Sequence, residues 1–250
     1  MAVLKSLLKI EGTLDGMSFY KKADGEYHVR AKKGIDKGRI QKDDAFQRTR
    51  ENNQEFADVS KSGKLLRRSL IEMLADVKDR SKSTRMSSVL FKVKSFDMGS
   101  IRGERKVSIG ILTAEGKTAL SNFEFNKNAP LDAVLLAKYA LNTTTNEITI
   151  TGFNPYKMLA APEGATHVRL VAAHAKLDFA TEESDLVFSN EETLPINQTV
   201  TDVTLSFTTP AAGSGTEMHL LKVEFLQEFN ASLYPLKNGT FNALKLMSVQ

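Results

Sequence analysis

Residues 167–179 read HVRLVAAHAKLDF, and residues 219–229 read HLLKVEFLQEF. Both are short runs rich in aliphatic, β-branched and aromatic side chains, and both read as strands. Six further segments have the same character, at 107–112, 122–125, 133–141, 147–151, 200–208 and 241–249. Turn-rich intervals such as NTTTN at 142–146 and AAGSG at 211–215 separate several of them. Eight strands at this spacing predict a sandwich or barrel of mainly antiparallel sheet, immunoglobulin-like or related.

Upstream the pattern differs. Residues 7–11, 18–21 and 27–31 read as short strands, and Asp15-Gly16 and Asp24-Gly25 supply the tight turns that need positive φ. Asp43 or Asp44 then caps a helix running through Ala45 and Phe46 to Phe56. A second helix is expected over 60–80, where Leu66, Leu70, Leu74 and Val77 fall on one face, and a third around Met86, Val89, Leu90 and Val93. The segment 96–104, with Gly99 and Gly103, breaks the helical pattern and reads as a linker. The expected fold is therefore α+β, with a basic hairpin-plus-helix region over 1–100 and an acidic β-sandwich domain over 101–250.

The charge is divided in the same way. Residues 1–110 carry 25 Lys and Arg against 15 Asp and Glu, a formal +10, and residues 111–250 carry 9 against 15, a formal −6, which sum to the chain's +4. One part seeks negative surface and the other supplies it. With no Cys, disulfides and thiolate chemistry are excluded. The N-terminal MAVLKSLLKIEG is interrupted by Lys5 and Lys9, so it reads as neither signal peptide nor membrane helix, and a cytoplasmic location is expected. Asn-X-Ser/Thr triplets at Asn142, Asn197, Asn230 and Asn238 then read as turn chemistry.

Familiar catalytic constellations are missing from the sequence. His28, His167, His174 and His219 show no four-residue helical pairing, and His167 and His174, seven apart on one strand, point to opposite faces. All four read as structural or exposed, because no adjacent residue supplies a third ligand or an orienting carboxylate. Gly63-Lys64 and Gly116-Lys117 lack the upstream glycine of a phosphate loop. The acidic groups Glu182-Glu183-Asp185 and Glu191-Glu192 lack the loop pattern of a calcium site and read as a solvated edge. No catalytic, cofactor-binding or metal-ligating residue is assigned, no cofactor or small-molecule substrate is expected, and the chain reads as a non-enzyme.

Interaction features are more pointed. Phe19, Tyr20 and Tyr27 interleave with Lys21, Lys22, Arg30, Lys32 and Lys33, a pattern open to solvation, a protein partner or nucleic acid. The string RTRENNQEF at 48–56 places Arg48, Arg50, Glu51 and Glu55 on a helix as either a surface network or an interdomain or intersubunit clamp. An apolar-basic strand at 2–10, with Leu4, Leu7, Leu8 and Ile10, has no obvious local partner; it pairs within its own chain or completes the sheet of a neighbour.

The strings GTLDGMSFYK at 12–21, VRAKKG at 29–34, FQRTREN at 46–52 and YPLKNGTFNAL at 234–244 resemble a group of uncharacterised proteins encoded in Bacteroidetes genomes. The resemblance spans both ends of the chain and implies no activity and no catalytic residues. The expected function is that of a structural protein that self-assembles into a homo-oligomer, head-to-tail, as a filament, ring or phage-like particle. Its basic and acidic faces and its N-terminal strand would make the contacts. The alternative is a nucleic-acid-binding module using the basic half.

Overall fold

A computed structural model of the chain describes residues 2–3, 9–31 and 34–250. The fold is mixed α+β and has two compact units, Met1–Arg50 and Glu51–Gln250. In the first, strands β1 (Ala2–Val3), β2 (Gly12–Leu14), β3 (Met17–Lys21) and β4 (Tyr27–Ala31) form one antiparallel sheet in the order β1-β4-β3-β2. Asp15 and Gly16 both take positive φ, 44° and 72°, which makes the two-residue β2–β3 turn that an Asp-Gly pair favours. The described part of the strand predicted at 7–11 lies outside any strand, and the ladder starts at Gly12. Helix α1 (Lys37–Lys42) follows, its N-cap Asp36 accepting the Arg39 N–H at 3.2 Å. Asp43 then caps a 3-10 turn, Asp44–Phe46, that leads into α2 (Gln47–Ser69).

The two helices predicted over 43–56 and 60–80 run together as this single 23-residue α2, but the second stops at Ser69 rather than continuing to 80: Leu70 breaks the helical backbone, Ile71–Leu74 is a separate short helix, and Val77 lies outside any helix. The buried positions Glu55, Val59, Ser62 and Leu66 recur at steps of four, three and four, so the stripe runs straight through Ser60. After it come α3 (Ile71–Leu74), α4 (Lys82–Ser95), α5 (Val107–Gly110) and α6 (Ala114–Leu120). The remainder is β5 (Phe123–Glu124), α7 (Leu131–Val134), β6 (Ala140–Asn142), β7 (Glu147–Phe153), α8 (Pro155–Met158), β8 (His167–Leu177), β9 (Ser184–Phe188), β10 (Glu192–Pro195), β11 (Thr201–Leu205), β12 (Thr216–Phe229), β13 (Ser232–Pro235) and β14 (Ala243–Val249).

The two long strands that stood out in the sequence, β8 and β12, pair antiparallel from Leu177↔Thr216 to His167↔Leu226 and form the centre of a seven-stranded sheet. That sheet runs β10-β8-β12-β14-β5, with β9 added on β8 and β13 on β12. Alternation along the strands produces two buried faces. Val171, Ala173, Ala175, Leu177, Met218 and Leu220 share a core with Leu66, Leu70, Met86, Leu90 and Val93 of the helices. Val168, Leu170, Ala172, Leu221, Val223 and Phe225 share the other core with Ile148, Ile150, Phe153, Val203 and Leu205 of a three-stranded sheet, β11-β7-β6. Burial on both faces is why these strands read as nearly continuous apolar runs.

Several local expectations change. Residues 107–112, predicted as a strand, contain α5: Val107, Gly110 and Ile111 are buried at helical spacing, while Ile109 and Leu112 face out. Gly110 lets α5 close on α4, since a Cβ there would stand 2.1 Å from the Val93 carbonyl oxygen. The 133–141 strand is α7 followed by β6. The segment 96–104 is an anchored loop rather than a linker. Asp97 within it is fully buried, its carboxylate accepting the Ser100 and Lys106 N–H groups at 3.0 Å each. The contacts divide the chain at Arg50, where the sequence suggested residue 100, because the apolar stripes of α2 to α6 are covered by the main sheet. Asn142 and Asn197 accept the N–H two residues on, in Thr144 and Thr199, as turn residues do.

Candidate functional site

Strand alternation splits the sheet of the first unit into unlike faces. Thr13, Ser18, Tyr20, His28 and Arg30 share one face, and Leu14, Met17, Phe19 and Val29 share the other. On the first, Tyr20 stacks on His28 with ring centroids 5.9 Å apart, and the Arg30 guanidinium lies 5.5 Å from the Tyr20 ring. His28 is buried with neither ring nitrogen hydrogen-bonded, and Glu26 brings a carboxylate oxygen within 3.4 Å of its Nε2. On the second face Leu14 is 61% exposed and Met17 44%, while Phe19 and Val29 are half-buried. Ala2–Val3 pairs inside its own chain, Ala2 opposite Val29 and Val3 opposite His28. Leu4, Leu7, Leu8 and Lys32 lie outside the described residues, and Ile10 is exposed.

The polar helix stripe divides between local tasks. Arg50 Nη1 donates to the carbonyls of Ile40 at 2.9 Å and Asp43 at 2.8 Å, which fastens the end of α1, and Arg48 faces solvent. In the larger unit Glu51 meets Arg102 at 3.2 Å, and Arg102 also donates to Asn52. Glu55 is buried, paired with Lys94, and accepts the Gly103 N–H at 2.8 Å. Burial raises the pKa of Glu55, but the Lys94 ammonium and the Gly103 N–H outweigh it and hold the carboxyl below its ordinary value. Within this unit the stripe ties α2 to α4 and to the 98–104 loop.

One polar constellation was not predicted. His174 on β8 stands directly opposite His219 on β12, and Glu217 lies two residues before His219 on the same face. The imidazoles stack with centroids 4.9 Å apart and planes 16° apart. His174 Nδ1 accepts the Ala211 N–H at 3.0 Å, which leaves its proton on Nε2, 2.5 Å from Glu217 Oε1. His219 Nε2 is 2.8 Å from Asn146 Oδ1 and donates to it, so its lone pair is on Nδ1, which is buried without a partner. His174 and His219 are 0% and 1% exposed, Glu217 reaches partway to solvent, and one ligand atom from each lies within 4.8 Å of the others. Burial, with His174 alongside, pushes the His219 pKa down to about 4, against the opposing pull of Glu217. The reading of all four histidines as lacking a carboxylate or ligand partner is thus corrected: His174 and His219 share Glu217, His28 has Glu26 and Asp24 close by, and His167 lies 4.0 Å from Glu228. The partners of His174 and His219 are remote in sequence and meet only through strand register. The alternating Glu217-Met218-His219 on a strand was the signal available.

His167 and His174 do lie on opposite faces of β8, as their odd spacing requires. Of the acidic edge, Glu182 pairs with Lys61 at 2.6 Å, and Asp185 accepts the Ala212 N–H at 2.7 Å. Among the described residues no helix is long and apolar enough to cross a membrane. Comparison with family models, curated proteins and solved structures gave no match.

Proposed function

We propose that this chain is a non-enzymatic structural protein that assembles with copies of itself, and that the N-terminal sheet is the surface through which it does so. One observation carries the reading: among the described residues of Met1–Arg50, His28 is the single buried side chain, and the face bearing Leu14, Met17, Phe19 and Val29 has no buried member. A sheet gains stability by covering an apolar face and by pairing its edges, and this unit supports neither from its described residues alone. A second copy fits because the basic 1–110 and acidic 111–250 portions of the sequence complement each other between molecules. Head-to-tail contacts of that kind give a ring or a filament according to whether the rotation closes.

Sizing chromatography and negative-stain microscopy test this with the full chain at low and high salt. Assemblies are expected that shrink at high salt and are lost when Leu14→Lys and Met17→Lys are combined; both side chains are exposed, so the folded unit should tolerate the changes. A monodisperse monomer at high concentration, unaltered by deletion of residues 1–10, refutes the reading. A salt-dependent gel shift with single-stranded nucleic acid from such a monomer would replace it with the nucleic-acid alternative.

A further inference from the structure

We propose that His174, Glu217 and His219 form a binding site for a divalent transition-metal ion of the zinc class, set across the two central strands of the large sheet. The donors are two neutral imidazoles and a carboxylate, a set that suits zinc better than calcium or magnesium, which prefer oxygen alone. Their placement is fixed by rigid β structure. The histidines are cross-strand partners, and Glu217 follows on the same face two residues away. Three protein ligands leave the fourth position to water, and Glu217, the partly exposed member, marks the side from which an ion enters.

Two features point to a ligand rather than to a satisfied polar core. First, His219 has the arrangement of a prepared metal ligand: one ring N–H is donated to the Asn146 carbonyl, which fixes the tautomer, and the other nitrogen is a buried lone pair with no partner. Second, one ligand atom from each of the three residues already falls within 4.8 Å of the others, and tetrahedral zinc with bonds near 2.1 Å needs them about 3.4 Å apart. Closing that difference requires the two stacked imidazoles to turn about χ1 and χ2 so that their lone pairs converge on one point. Coordination through His174 Nε2 moves its proton to Nδ1 and releases the Ala211 N–H that Nδ1 now accepts. Ala211 belongs to the connection between β11 and β12, which carries Gly213 and Gly215 at positive φ. The net proton count of a neutral imidazole is unchanged by that shift, and no other co-reactant is required.

This inference is independent of the assembly reading, since the site lies wholly within Glu51–Gln250. The test is zinc binding to the full chain after dialysis against a chelator, measured by calorimetry and by competition with a chromophoric chelator. One equivalent of zinc is expected to bind with sub-micromolar affinity and to raise the melting temperature. Glu217→Gln and His219→Asn should each weaken binding by about tenfold or more, and His167→Ala, on the opposite face of β8, should bind as the parent does. Circular dichroism establishes that each variant is folded; should His219→Asn fail to fold, Glu217→Gln, whose side chain is partly exposed, carries the test. Absence of stoichiometric binding by the parent, or parental affinity in folded Glu217→Gln, overturns the proposal. In the amide spectrum of the parent, zinc should shift the Ala211 resonance; saturation with no change there also counts against it.

Discussion

Replacing Glu124 with Gln should stabilise the protein in neutral and alkaline solution and flatten its stability between pH 5 and pH 7. Glu124 lies on β5 opposite Lys245 of β14, and its Oε2 accepts the Leu131 N–H at 3.1 Å at the start of α7. The Lys245 ammonium is held 2.6 Å from Asp132, whose other oxygen accepts the Tyr139 hydroxyl at 2.5 Å, and Arg85 donates to the Glu124 backbone carbonyl at 2.7 Å. Burial dominates, and with Asp132 adding to it against the Leu131 N–H, Lys245 and Arg85, the Glu124 pKa is pushed up from 4.5 to about 7. The folded chain thus keeps this proton to a higher pH than the unfolded chain does. Stabilisation from it is complete below about pH 4.5, declines across the interval up to about pH 7, and is gone above. At about 1.4 kcal/mol per pH unit the loss is at most roughly 3.5 kcal/mol, and partial solvent access lowers it. Glutamine is neutral, nearly isosteric, and keeps an acceptor for Leu131. Urea unfolding of parent and Glu124→Gln at half-unit steps from pH 4.5 to 8 isolates the effect, because every other titration cancels in the difference. The variant should gain on the parent as pH rises and level off near pH 7, ahead by about 2 kcal/mol. A difference that is independent of pH, or a variant less stable at pH 8, refutes the reasoning.

Three further substitutions probe the helix layer and the loop that follows α4. Gly110→Ala drives a Cβ to 2.1 Å from the Val93 carbonyl and should cost about 3 kcal/mol or more, whereas Gly99→Ala, with nothing within 4 Å, should be near neutral; thermal melts of the pair check this. Asp97→Ala leaves the Ser100 and Lys106 N–H groups without their carboxylate and should cost about 2–4 kcal/mol at pH 7. Burial raises the Asp97 pKa but those N–H groups hold it below its ordinary value, so the difference from the parent should shrink as pH falls through the acid range, read by urea midpoints from pH 7 to pH 3.

Where periodicity met burial on one face, the sequence was readable. Leu66, Leu70, Leu74 and Val77 are buried together in the helix-side core, although the chain breaks at Leu70 and the four do not share one helix, and the strands at 167–179 and 219–229 became the central pair. Where a segment is short, periodicity has too few turns to speak. Residues 107–112 carry Val, Ile, Ile and Leu, as a strand would, and their helix is decided by Gly110 meeting α4, a contact no local pattern encodes. Strands β9, β10 and β13 escaped for a related reason. Each extends an edge of an existing sheet, so each needs only four or five residues, with side chains half in solvent or fully exposed. The loop at 96–104 looked like a boundary because its glycines stop the helix, yet a buried aspartate and the Glu55 contact to Gly103 make it an anchor.

The histidine site was hidden by a different limit, and that limit bears on what the site is for. Two imidazoles forty-five positions apart become neighbours only through the register of β8 on β12, and register is a property of the whole sheet. At that level the location is unusual. The same face of the same two strands is Ala172, Leu221, Leu170 and Val223 in the next two pairs, so aliphatic side chains fill it wherever packing alone decides. Burying two imidazoles at its end forgoes that apolar contact and requires partners for each ring nitrogen. Ala211, Glu217 and Asn146 answer three of the four, and the fourth, Nδ1 of His219, stays open. A core built for stability alone has no reason to leave a lone pair dry beside a carboxylate, whereas a site that exchanges that vacancy for an ion does.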